Sequence, residues 1–318
     1  MTREPVTFFA AAPGEGQALR DVFSLTKPRI TVIVLATCAA GMAVAPVPIP
    51  LPSALLALLG TALIVASANV LNMWWERDTD GLMARTRERP LPAGRLTSDV
   101  ALFFGLALGA SSLPMLVAVN RVTALLGAVA LALYVLAYTP LKRRSTFALW
   151  VGAIPGAMPP LMGWTSATGS LLVSDGKTAH ASLAGLLGVS PLAGLLLFAF
   201  LFAWQLPHFN AIALFRADDY ARAGLKVVSV EQGPRAARAH IAGYSVLLVM
   251  VSLGLVAARV AGTMFEVSTV TLGAVFLALA MYGARSKAGS SWAKGVFGYS
   301  IVYLTVLLLV LVVDRNGF

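Results

Sequence analysis

Nine windows of this 318-residue chain are apolar over about the 20 residues that an α-helix needs to cross the hydrocarbon core of a bilayer. No feature constrains the fold more. Inside lipid every backbone N–H and C=O must be paired within the protein, and a chain of long apolar segments can meet that only with helices. The spans fall near 29–47, 53–75, 98–119, 122–139, 147–166, 183–209, 239–260, 264–284 and 295–313. The expected architecture is therefore all-α: a polytopic transmembrane bundle of about nine helices around a cavity facing the cytoplasm. Residues 1–27 are too polar overall for a signal peptide and read as a cytoplasmic tail with a short surface helix at Leu19–Leu25, leaving 28–318 as the membrane domain.

Composition agrees, at 58% hydrophobic against 12% charged residues. The net charge of +10 is scattered in short clusters between apolar spans, which argues against nucleic acid and for membrane topology. Twenty of the 24 lysines and arginines lie in the N-terminal segment or after the second, fourth, sixth and eighth spans. Arg121, Lys177, Arg259 and Arg315 lie on the other side, so the positive-inside rule places the N-terminus in the cytoplasm and the C-terminus outside. Cys38 is the sole cysteine, which rules out an internal disulfide and reads as a small buried hydrophobe.

The chemistry concentrates where the second span ends, in Ala68–Leu96. Asn72, Glu76, Asp78 and Asp80 are followed at once by Arg85, Arg87, Arg89 and Arg95. At about 100° per residue, Asn72, Glu76 and Asp80 drift only about 40° per step and share one helix face, whereas Asp78 points away. Three oxygen donors on one face suit a hard divalent cation such as Mg²⁺, which binds through a few carboxylates plus phosphate oxygens. Arginines close behind suit the rest of a phosphate, so the pattern suggests a diphosphate substrate. The bland alternative is a solvated charged loop, but carboxylates in register with an apolar helix are costly and tend to be functional.

A second acid-and-base cluster follows the sixth span, where Asp218 and Asp219 stand among Arg216, Arg222 and Lys226. By itself this pair could equally be a loop held by ion pairs. Just before it, Gln205 and His208 share a helix face across Pro207. His208 reads either as a satisfied structural histidine or as a substrate contact: hydrogen-bond donor, base or ligand. Lys142 and Arg143, in Tyr138–Thr146, read either as a positive-inside anchor or as neutralisers of departing diphosphate. Trp74, Trp75, Trp164 and Trp204 could face a cation through their rings.

The string Asn72-x-x-x-Glu76-Arg-Asp78-x-Asp80, with R-T-R-E-R-P-L-P-A-G-R behind it, resembles the first aspartate-rich motif of the UbiA-type intramembrane prenyltransferases. Glu76 in place of the usual aspartate, Y-T-P-L-K-R-R-S-T, G-A-I-P-G-A-M-P-P-L-M-G-W, W-Q-L-P-H-F and D-D-Y-A-R-A-G are similar to the haem O synthase branch of that superfamily. The resemblance runs from about Leu25 to the last span. It implies farnesyl transfer from farnesyl diphosphate to a vinyl group of haem b. Asn72, Glu76 and Asp80 would hold Mg²⁺ with Asp218 or Asp219. Arg85, Arg89, Lys142, Arg143, Gln205, His208 and Arg222 would bind substrate. It further implies a bacterial cytoplasmic membrane, and partners among proteins that process haem or assemble terminal oxidases. The second motif departs from the superfamily pattern of two aspartates four apart, since Asp218 and Asp219 are adjacent and position 222 is Arg. Two other readings stay open: a UbiA-type enzyme for a quinone or chlorophyll-type acceptor, and a secondary transporter. Transporter charges cluster near the bilayer midplane rather than at helix ends.

Overall fold

A computed structural model describes residues 15–172, 192–286 and 288–314. Among them the secondary structure is helical, without strands. Ten long helices follow in order: α1 Glu15–Leu25, α2 Pro28–Ala43, α3 Leu51–Trp75, α4 Ser98–Val119, α5 Arg121–Leu141, α6 Ala148–Thr168, α7 Ala193–Phe215, α8 Gly233–Ala257, α9 Thr263–Arg285 and α10 Ser290–Val313. The start of the sixth expected span, with Lys177 and His180, lies outside the described residues, as do the first 14 residues and Arg315.

Local sequence accounts for the boundaries. Pro28 and Pro52 open α2 and α3 in the first turn, where a missing N–H costs nothing. Thr97 and Asn120 cap α4 and α5 by accepting the N–H of Val100 and of Thr123. The extended Asn120 lets α5 double back on α4. Gly169, at φ 69°, ends α6 in the left-handed conformation that glycine tolerates.

The described residues give seven or eight candidate spans by length and composition, against the nine expected. Seven of the described helices (α3, α4, α5, α7, α8, α9 and α10) are long and apolar enough to cross a membrane alone, and an eighth crossing requires α1 and α2 to act as one broken span, bent by 42°. The sixteen-residue α2 is short for the task. Helix α6 carries Pro155, Pro159 and Pro160, is largely buried and does not pass as a span. Protein neighbours solvate its backbone, which relieves the demand for an unbroken apolar run.

The helices pack in sequence-neighbour pairs, α3 on α4, α7 on α8 and α8 on α9, tied by the longer-range contacts of α2 with α6 and of α7 with α6 and α10. Helices α2 and α6 meet almost backbone to backbone. A Cβ at Gly41 would sit 2.0 Å from the Pro160 carbonyl oxygen, and one at Gly163 would sit 1.9 Å from that of Cys38. This is the close approach that small residues permit between membrane helices. The largest core joins α6 to α10 through Trp164, Phe200, Phe265, Phe276 and Tyr303. Cys38 is fully buried. Leu55, Phe103, Leu106, Leu125 and Val267 face outward, a surface that lipid covers.

Candidate functional site

A cavity of ≈ 770 Å³ opens at one end of the bundle, walled by the end of α3, the end of α5, the start of α6, the end of α7 and the start of α10. Among the residues that line it, Asp80 pairs with Arg89 and Glu76 with Lys142, the Phe215 and Phe297 rings meet at 5.8 Å, and the Arg216 guanidinium lies over the Phe215 ring at 5.6 Å.

Helix α3 stops at Trp75. Glu76 leaves helical geometry at φ −93°, ψ 8°, and Arg77–Asp80 restarts as a single turn. The Asp80 N–H still reaches the Glu76 carbonyl at 2.7 Å, so the register survives the break and all three donors reach the cavity. The Asp78 side chain is 90% exposed and, among the described residues, pairs with Arg77 alone.

The polar side chains here leave three oxygens open. The Asn72 amide donates to Glu76 Oε2 at 3.0 Å and to Thr139 Oγ1 at 3.0 Å, which uses both N–H groups and leaves Oδ1 without a donor. Lys142 Nζ donates to Glu76 Oε2 at 2.9 Å, and Arg89 donates to Asp80 Oδ2 at 2.6 Å. Glu76 Oε1 and Asp80 Oδ1 then have no donor among the described residues. A carboxamide oxygen and two carboxylate oxygens form the hard donor set that Mg²⁺ takes, with substrate phosphates completing the shell. No group of three His, Cys, Asp or Glu side chains is gathered for a metal among the described residues. The donor set thus fits a cation that arrives with a phosphate better than a closed protein cage.

Helix α5 serves the same site. Its segment Leu133–Tyr138 widens into a π turn, a distortion frequent at functional sites, and Thr139 Oγ1 donates to the Tyr134 carbonyl at 2.8 Å. Tyr134 and Tyr138 line the cavity, and Lys142 Nζ lies 4.5 Å from the Tyr138 ring centre. Burial works against charge on Lys142, but Glu76 beside it leaves the pKa raised, so the ammonium persists. Lys27, just before α2, has its pKa lowered to about 7 by burial, with Arg89 and Lys142 adding repulsion.

The second acidic cluster is arranged differently. Asp218 is exposed, whereas Asp219 is buried at 8% and binds Arg222 and, at 3.7 Å, Arg216. Neither aspartate lines the cavity; Arg216, Tyr220 and Lys226 do. Burial raises the Tyr220 pKa. The Lys226 N–H donates to the Lys142 carbonyl at 2.8 Å, which fastens this loop to the one after α5. Arg143 is exposed and outside the lining, as is Arg222, while Arg85 is part of it.

Gln205 and His208 sit in the packing. Gln205 Nε2 donates to the Ala153 and Leu201 carbonyls at 3.0 and 3.2 Å, clamping α7 on α6 where Gly156 leaves room. His208 Nδ1 lies 2.7 Å from Ser300 Oγ, and the ring stacks on Trp204 at 4.5 Å. Ser300 Oγ donates to the Phe297 carbonyl, so Nδ1 carries the histidine proton toward Ser300. His208 touches Phe297 at 4.8 Å between ring centres and stands behind the cavity wall. Trp164 and Trp204 belong to the core around α7, and Trp74 and Trp75 pack edge to face on each other. His240 starts in α8 against Tyr244. Lys27 and Lys294 were not singled out in the sequence. Only the proline after Lys27, with Arg29 beyond it, hinted at a fixed elbow carrying charge.

A model of the UbiA prenyltransferase family matches residues 34–302. The protoheme IX farnesyltransferase of Sorangium cellulosum (strain So ce56) is 51% identical over 259 residues, covering 81% of this chain and 86% of that protein. The enzyme of the same description from Myxococcus xanthus (strain DK1622) is 45% identical over 296 residues, 93% of this chain and 94% of the other. Among solved structures, one concerned with digeranylgeranylglyceryl phosphate synthase in membranes superposes with a TM-score of 0.75 at 14% identity, covering 94% of this chain and 99% of that one. A UbiA homolog from Archaeoglobus fulgidus bound to GPP and Mg²⁺ gives 0.60 at 18% identity, over 92% and 99%. At those identities the structures speak to fold alone.

Proposed function

The chain belongs to the UbiA prenyltransferase family, and from that premise we propose that it transfers the farnesyl group of farnesyl diphosphate to a vinyl group of haem b, giving haem O. The observation that carries the reading is one cavity whose lining joins three open oxygens and paired cations, Lys142 with Glu76 and Arg89 with Asp80, to the rings of Phe209, Phe215 and Phe297. That mixture fits a diphosphate joined to an apolar chain, together with a flat apolar acceptor. The relatives described as protoheme IX farnesyltransferases, at 45–51% identity over most of their length, supply the acceptor.

In this mechanism Asn72, Glu76 and Asp80 would hold Mg²⁺, which when bound would offset the charge of the substrate phosphates. Lys142, Arg89, Arg85 and Lys27 bind the diphosphate oxygens. These residues stabilise the charge that grows on the leaving oxygen as the allylic C–O bond breaks. Tyr134 and Tyr138 present ring faces beside Lys142 and keep water from the allylic carbon. The vinyl terminal carbon forms the new C–C bond. Water then adds at the adjacent carbon and loses a proton, leaving a hydroxyethylfarnesyl substituent and inorganic diphosphate. Asp219 holds Arg216 toward the cavity, Arg222 and Arg143 add charge at its rim, and Gln205 and His208 set the acceptor wall through α6 and α10.

The membrane is the bacterial cytoplasmic membrane, with the cavity and N-terminus toward the cytoplasm, the C-terminus outside, 1–27 as a tail and 28–318 as the catalytic domain. Partners are proteins that process haem or assemble terminal oxidases. The test incubates the purified protein with farnesyl diphosphate, Mg²⁺ and either haem b or aromatic quinone precursors. A haem adduct with the mass of added farnesyl and water is expected; product only from a quinone precursor would overturn the reading.

A further inference from the structure

Of the basic side chains that line the cavity, four answer carboxylates: Arg89 with Asp80, Lys142 with Glu76, Arg216 with Asp219 and Lys226 with Glu231. Lys27 stands within electrostatic reach of Glu76 and Asp80, and Arg85 within reach of Tyr220. Lys294 is different. It is exposed, lines the cavity from the second turn of α10 and has neither an ion pair nor a hydrogen bond among the described residues.

Its neighbour on the same helix face, three residues on, is Phe297, which also lines the cavity. The Phe297 ring packs on Phe215 at 5.8 Å and on His208 at 4.8 Å. Behind it, Ser300 receives His208 Nδ1–H on its hydroxyl, and the Trp204 indole N–H on its carbonyl at 2.6 Å. Phe297 is therefore a braced aromatic surface with an exposed lysine, unpaired among the described residues, beside it on the same helix face. A planar apolar molecule with acidic groups on one edge matches it: the ring lies on Phe297 and the acid meets an ammonium that can follow it.

We infer that Lys294 binds a propionate carboxylate of the porphyrin acceptor and so fixes which edge of the macrocycle points out of the cavity. This rests on the haem reading of the acceptor. Lys294 is a specificity-determining residue, distinct from the groups that bind diphosphate. The alternative is a lysine that snorkels to the membrane surface and touches no substrate.

The test measures KM for haem b and for its propionate dimethyl ester, and KM for farnesyl diphosphate, in the wild type, Lys294→Gln and Lys294→Arg. The wild type should prefer the free acid, and Lys294→Gln should raise KM for the acid by about tenfold, the scale of one charge-assisted contact. KM for the ester and for farnesyl diphosphate should stay put, so the preference for acid over ester collapses. Lys294→Arg should restore most of it. A surface anchor would leave all three constants unchanged, and that result overturns the inference, as does an equal change for acid and ester or a change confined to farnesyl diphosphate. If the wild type makes no adduct from haem but does from another acceptor, the acceptor reading falls, and this inference with it.

Discussion

The loop after α3 and the loop after α7 are built from the same materials, two or three carboxylates with arginines close behind and a short helix between, yet they present opposite faces to the cavity. After α3, the acids point in: Glu76 and Asp80 line the cavity, each with one oxygen held by a cation and one left open. After α7, the acids point away and the bases point in, since Asp219 is wrapped by Arg216 and Arg222 while Arg216, Tyr220 and Lys226 form the lining. Two similar charge patterns thus serve as a donor set and as a cationic wall. The breaks themselves are alike: the Tyr220 N–H reaches the Arg216 carbonyl at 3.0 Å as the Asp80 N–H reaches that of Glu76 at 2.7 Å. The difference is which residues occupy the cavity phase, Asn72, Glu76 and Asp80 in one loop and Ile212, Arg216 and Tyr220 in the other.

The contrast is broken most severely at the donor set. Glu76→Gln or Asp80→Asn should lower kcat by about 10³-fold or more with membrane insertion intact, because each removes a charge and almost no volume. Turnover with labelled farnesyl diphosphate checks this, and near-normal rates in either variant would dissolve the difference between the loops. Asp78→Asn, at a side chain 90% exposed, should cost less than about twofold.

Next in size is the cationic wall. Asp219→Asn should cost about tenfold, read as a raised KM for farnesyl diphosphate as Arg216 loses its anchor, and Asp218→Asn should cost almost nothing. Losses at Asp219 as large as those at Asp80 would make the second loop a ligand set too.

A finer test separates the basic pair after α5. Lys142→Gln should raise the farnesyl diphosphate KM by about tenfold and weaken the hold on Glu76, whereas Arg143→Gln, exposed and outside the cavity, should leave it within about twofold. Equal effects would return both to a purely topological role.

The smallest effect concerns how the first loop is held. Arg95 donates to Asp21 on α1 at 2.9 and 3.3 Å, and this hydrogen bonding holds the Asp21 pKa below the ordinary 3.8. A carboxylate whose folded pKa is depressed contributes stability that is fully present above its unfolded value and fades as pH falls through the folded one. Asp21→Asn should therefore lower Tm by a few degrees at pH 6–8. The gap from wild type should close as pH falls below about 4. A gap independent of pH would mean that packing alone docks α1.

The sequence by itself determined what depends on neighbours along the chain. Hydrophobic runs set the helical class, prolines and capping residues set several boundaries, and helical periodicity put Asn72, Glu76 and Asp80 on one face with Asp78 opposite. Tertiary structure decided what depends on partners far away in sequence. That Lys142 meets Glu76, that Lys27 and Lys294 reach the same cavity, and that Gln205 closes on Ala153 are consequences of how α2, α3, α5, α6, α7 and α10 pack. The shelter of the proline-rich α6 was decided the same way, by its packing against α2 and α7. The physical reason is one of range. Helix geometry repeats every few residues and is written locally, while the rotation of one helix against another follows from side-chain shape along a whole interface, and no window of sequence contains both surfaces.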